Sequence, residues 1–189
     1  MGTSQQRLIW AVSGIALAVV AVCFATSENV IAGSIAATRY TARFSGLVFA
    51  VALAARAPGR LASRRGQLTL AFVAAHGIYY ASVVARAIVE PTDPLRQLRA
   101  ENFLIVGAGI VLLALIAFTA HATSKIGAGT NAFAVYVAWA ALALASASRL
   151  RTSISSAVVF GVLALAMLWR IGSARKRKAA QAAMLNQVP

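Results

Sequence analysis

Apolar residues fill six stretches of the chain, roughly 8–25, 34–55, 66–88, 103–120, 131–148 and 153–169, and polar residues gather in the short connections between them. Each stretch approaches the roughly 20 residues that an α-helix needs to cover about 30 Å of hydrocarbon. The runs are rich in Ala, Leu and Val and lack the two-residue alternation of barrel strands. Because lipid offers the backbone no hydrogen-bond partner, the pattern predicts helices. The expected fold is all-α: a polytopic bundle of six transmembrane helices over 1–172, followed by a basic tail over 173–189.

The connections add detail. Arg56-Ala-Pro-Gly-Arg60, continuing to Arg64 and Arg65, combines Pro-Gly turn chemistry with four cations between the second and third helices. Between the third and fourth, Pro91 and Pro94 end the helix, and 94–101 is expected to form a short interfacial helix with Leu95 and Leu98 on one side. No internal or inverted repeat of the kind many transporters carry is visible. The first stretch follows Arg7 and ends Cys23-Phe24-Ala25, which has some signal-peptide character. It is long for a signal, and Val22 does not suit a lipoprotein cleavage box, so an uncleaved first helix is expected.

Composition narrows the class. The 189 residues are 60% hydrophobic with only four acids, which is not the make-up of an ordinary soluble domain. The formal net charge of +14 would suggest nucleic acid in a soluble chain. In a membrane chain it is first a topology signal, because cytoplasmic loops retain Lys and Arg, so nucleic-acid binding is not expected. With a cytoplasmic N-terminus, that side carries eleven cations and no acid, while the other carries seven cations and all four acids, Glu28, Glu90, Asp93 and Glu101. The expectation is a multi-pass protein of the cell inner membrane with both termini cytoplasmic. Cys23, the single cysteine, excludes an intramolecular disulfide and multi-cysteine metal sites.

Polar residues at membrane depth carry the candidate chemistry, since an ionisable group there costs roughly 2.5–3.5 kcal/mol even on lenient scales. Arg39 and Arg43 lie one turn apart on the second helix, and Gly46 and Ala50 continue their face. They either hold an anion such as a carboxylate or cofactor propionate, or snorkel outward to pair with Glu28, Glu90 or Asp93. His76 and Tyr80 share a face of the third helix near mid-membrane. Such an imidazole either ligates haem iron or hydrogen-bonds a hydroxyl on a facing helix. His121 falls near a cytoplasmic helix end, about 10 Å or more from His76 in height, which disfavours one haem held between the two. Trp10 and Trp169 have the positions of interfacial belt residues, and the Gly107-Ala-Gly109 step permits close helix contact. Phosphate-loop, nucleophile-elbow and metalloprotease patterns are absent from the sequence.

The segments Arg39-Tyr-Thr-Ala-Arg43-Phe-Ser, Arg64-Arg65, Leu70-Ala-Phe-Val-Ala-Ala-His76, Tyr136-Val-Ala-Trp139 and Trp169-Arg170-Ile171 give the chain a resemblance to the ferric-reductase-like transmembrane domain family. That family includes the haem-bearing membrane subunit of the bacterial methionine sulfoxide reductase system. The resemblance covers most of 39–170 and implies b-type haem held by histidines of the third and fifth helices, with electrons crossing the membrane through it. His76 falls at a ligand-like position. The fifth stretch, 131–148, contains no histidine, and Tyr79 and Tyr80 stand in the third where related chains carry a second one. The resemblance therefore leaves three states open: one five-coordinate haem on His76, an unusual second ligand, or no haem.

The function expected from the sequence is transmembrane electron transfer through haem b, with His76 as iron ligand, Tyr80 beside it and Arg39 and Arg43 near the propionates. Any enzymatic role is that of a haem-dependent membrane oxidoreductase component. The chain has no flavin or nicotinamide domain, so its electron donor or acceptor would be a partner protein or quinone. The alternatives are a haem-free partner or assembly subunit of a larger complex and a small-solute transporter, the latter weakened by the missing repeat and intramembrane acid.

Overall fold

The computed structural model describes residues 3–56, 61–89, 100–121, 124–150 and 153–185, and these are almost wholly helical with no strand among them. Six long helices follow one another: α1 (Thr3–Thr26), α2 (Val30–Ala54), α3 (Arg65–Val89), α4 (Ala100–Thr119), α5 (Lys125–Ala147) and α6 (Ile154–Leu185). A 3-10 turn at Ala62–Arg64 leads into α3. Among the described residues four segments are long and apolar enough to cross a membrane: Gln6–Thr26, Ala62–Val89, Lys125–Ala147 and Ile154–Lys176. The arginines and hydroxyl residues of α2 make it the most polar of the remaining helices, and in α4 the described apolar run is Gly107–Thr119.

Two helix starts differ from the sequence expectation for a local reason. Asn29 Oδ1 accepts from the Ala32 amide at 2.8 Å and Ser124 Oγ from the Gly127 amide at 3.1 Å. These caps satisfy amides that an α-helix leaves orphaned at its N-terminus, so α2 and α5 begin four and six residues before their apolar runs. Helix α6 continues unbroken through the basic run to Leu185, so the described part of the basic segment from 173 is helical. Ala179, Ala180, Ala182 and Ala183 are strong helix formers that extend it. The expected interfacial helix at 94–101 falls largely outside the described residues.

Helices α2, α3, α4, α5 and α6 each contact the next, and α6 returns to α2, so five helices close a ring. Helix α1 packs outside it, against α2 and α3. In one half of the ring Phe49 and Phe72 meet with centroids 4.6 Å apart, within a core that includes Leu53, Ile116 and Leu163. Alanines fill much of the rest, and their small side chains let the helices approach closely enough for dispersion to act. The outer surface is apolar: Phe118, Ile154 and Ile126 are 89%, 87% and 85% exposed. An apolar exterior of this extent marks a lipid-facing or partner-facing surface.

A candidate ligand cavity built on His76 and an arginine rim

Inside the ring lies a cavity of about 530 Å³ to which all five helices contribute, within the roughly 300–1,000 Å³ of ordinary ligand sites. Its inner wall is apolar, with Phe72 from α3, Leu112 and Leu113 from α4, and Ala138 and Leu142 from α5. Against this surface stand His76, Tyr79 and Tyr80 on α3, and at one end Arg39 and Arg43 on α2 with Arg149 just after α5. A second space of about 480 Å³ shares these arginines and adds Arg86, Thr38 and Ser153. It forms a polar vestibule to the apolar chamber. Among the described residues no carboxylate lines either space.

His76 is only 8% exposed. Its Nδ1 lies 3.0 Å from Ser45 Oγ on α2, and Ser45 Oγ in turn donates to the Ala42 carbonyl at 3.0 Å. A serine hydroxyl has one proton. Given to Ala42, it leaves the oxygen to accept from Nδ1–H, and the neutral ring then carries its lone pair on Nε2. Orientation of one ring nitrogen by a neighbour is also the arrangement that prepares the other for a metal. Aromatic rings hold the imidazole in place: Phe72, Tyr79 and Tyr80 have centroids 5.3, 5.0 and 4.9 Å from it, Tyr80 edge-on.

Tyr80 has its own seat. A Cβ built at Gly109 on α4 would coincide with the Tyr80 hydroxyl, whereas one at Gly107 would meet nothing within 4 Å. Only the second glycine of the step is thus a contact device. Gly109→Ala should lower stability by about 1–3 kcal/mol, because Tyr80 must move. Gly107→Ala should be close to neutral, and the thermal unfolding midpoints of the two variants in detergent compare them directly.

All four sequence-selected residues, Arg39, Arg43, His76 and Tyr80, line the one chamber. Arg43 Nη2 donates to Ser153 Oγ at 3.0 Å and its guanidinium carbon lies 5.3 Å from the Tyr40 ring centroid. Pairing with Glu90 or Asp93 concerns residues outside those described. His121 stands elsewhere: a Cβ at Gly66 would strike its ring, so it packs on the start of α3, ten residues and about 15 Å from His76 along that helix. Three contributors were not legible as site residues. Ser45 sits on a different side of α2 from the arginines, Gly109 reads in the sequence only as a packing step, and Arg149 is one of the seven cations assigned to the side away from the N-terminus, yet it reaches the rim.

The opposite end of the bundle has a polar centre of its own. Asn131 on α5 is buried and donates through Nδ2 to the Ile116 carbonyl at 3.2 Å and to Thr119 Oγ1 at 2.9 Å. Its Oδ1 accepts from Arg56 Nη2, which ties the end of α2 to α4 and α5. Trp139 Nε1 reaches the Leu163 carbonyl at 3.2 Å and joins α5 to α6.

These features define a class: an all-helical bundle, four of its described helices long and apolar enough to cross a membrane, around a chamber that presents one imidazole and an arginine rim. Comparison with known protein families, curated proteins and solved structures finds no match for this chain.

Proposed function

We propose that the chain is a six-span inner-membrane protein of ferric-reductase-like type that binds one haem b and passes electrons through it. The observation that carries this is the convergence of His76 and the arginines Arg39, Arg43 and Arg149 on one apolar chamber of ligand size. The donor set suits haem: a neutral imidazole with Nε2 available, apolar walls for the macrocycle, and cations grouped at one end for its two carboxylates. Bound there, haem b supplies a one-electron carrier. The chain's own residues orient and enclose it. His76 would hold the iron, with its ring fixed by Ser45 and Tyr80, and the guanidinium groups would hold the propionates. Electrons would come from or go to a partner protein or quinone.

The experiment is the absorption spectrum of protein purified in mild detergent after expression with ample haem. A Soret band that shifts on reduction supports the proposal. A colourless preparation overturns it and favours the haem-free partner or assembly subunit, for which the lack of a second histidine in the chamber speaks.

The proposed topology puts both termini and the Arg56–Arg65 connection in the cytoplasm, following the cation excess. Single cysteines at Ser63 and Thr92, in a Cys23→Ser background, should be labelled from opposite sides. An impermeant thiol reagent outside intact cells is expected to reach 92; reaction at 63 instead would reverse the orientation.

A further inference from the structure

A third cavity, of about 130 Å³, lies at the end of the bundle away from the vestibule, with Arg56, Arg65 and Arg170 on its walls beside Thr119 and Asn131. These arginines come from the end of α2, the start of α3 and the far part of α6, so only the folded bundle brings them together. Among the described residues no carboxylate lines this space. Glu28 is in the turn between α1 and α2, at the other end, and Glu101 is eighteen residues, about 27 Å, before Thr119 on α4. Glu90 and Asp93 follow the far end of α3 in sequence.

Two of the cations are held in place. Arg56 donates to Asn131 Oδ1, and Arg170 lies over the Tyr136 ring with its guanidinium carbon 4.2 Å from the centroid. Arg170 Nη1 is buried with no hydrogen-bond partner among the described residues, an arrangement that costs free energy unless something accepts from it. Burial, then the charges of Arg170 and Arg65, lowers the Arg56 guanidinium to about 10, so it remains a cation at neutral pH. Two anchored cations, a third on the same wall and an orphaned donor around a small space lack only an anion.

We propose that Arg56, Arg65 and Arg170 form an anion site that takes a single phosphate group, either the headgroup phosphate of an acidic lipid or a free phosphate. The space is too small for a nucleotide or porphyrin, and guanidinium forks suit the tetrahedral oxygens of phosphate. The site is separate from the His76 chamber and does not depend on what that chamber holds.

The test uses the full chain, delipidated in a neutral detergent, with its unfolding temperature followed at constant ionic strength. One arm adds inorganic phosphate against chloride. The other adds phosphatidic acid or phosphatidylglycerol against phosphatidylcholine. A rise of roughly 5 °C at saturation is expected in at least one arm. Phosphate alone sufficing identifies a free anion, and a response confined to acidic lipid identifies a headgroup. Arg170→Gln and Arg65→Gln should each remove most of the response, while Arg7→Gln, outside the cavity, should retain it. A merely structural role for these arginines predicts variants that are less stable without phosphate. An anion site predicts variants as stable as the wild type or more so, because mutual repulsion falls. Arg65 is exposed, so its variant serves even if Arg170→Gln does not fold. No rise in either arm, or a rise that both variants keep, overturns the proposal.

Discussion

His76→Ala should abolish the Soret band of the haem-loaded protein, and His121→Ala should leave most of it. The contrast follows from position. His76 is buried in the chamber, with Nδ1 on Ser45, whereas His121 is exposed and packs on Gly66, at the opposite end of the ring. If haem is held as proposed, His76 would be the residue that binds its iron, and no other histidine lines the chamber among the described residues. The measurement is the ratio of Soret to protein absorbance after purification, with the unfolding midpoint as a check that each variant is folded. Equal loss in both variants would refute the assignment of His76, as would a full band in His76→Ala.

Asn131→Ala should destabilise the bundle by about 2–3 kcal/mol, the largest effect expected from a residue outside the chamber. The substitution removes three interactions together: those with the Ile116 carbonyl, Thr119 Oγ1 and Arg56. Hydrogen bonds between helices in lipid average about 0.6 kcal/mol and reach about 1.7, and a bond to a charged partner lies at the upper end. The Ile116 carbonyl belongs to the last turn of α4, where intrahelical donors run out, so the lost amide has no substitute within the helix. Asn131→Asp keeps an acceptor for Arg56 but loses the Nδ2 donor to the Ile116 carbonyl and Thr119, so it should recover only part of the loss. Unfolding by an anionic detergent in mixed micelles would measure both, with Thr130→Ala as a neighbour whose hydroxyl bonds only within its own helix, to the Ile126 carbonyl. A wild-type-like Asn131→Ala would show that the network contributes nothing.

The residues selected in advance were those whose message lies in helical spacing. Arg39 with Arg43, and His76 with Tyr80, are each four apart, and a period of 3.6 puts each pair on one face whatever surrounds it. Helix number was legible for the same reason, because continuous apolar runs in a chain with four acids leave little other architecture. The helix ends were less so: the caps Asn29 and Ser124 lie outside the apolar runs and draw the helices past them. The run Arg175 to Lys178 looked like the start of a tail, yet charge does not stop a helix that alanines continue. Ser45, Gly109 and Asn131 acquire their roles from neighbours 31, 29 and 75 residues away: His76 for Ser45, Tyr80 for Gly109 and Arg56 for Asn131. No local pattern encodes those pairings, which exist only once the ring has closed.

Ring closure also carries a schedule. The contact between α2 and α6 joins the most distant pair of neighbouring helices in the chain, so the wall supplied by α6 is added last as the polypeptide emerges. Without α6 the face of α2 at Gly46, which Val159 covers, would be open, and any guest would have a wider entrance than the one Ser156 and Val159 leave. The step that closes the ring is thus the same step that restricts what can still enter or leave.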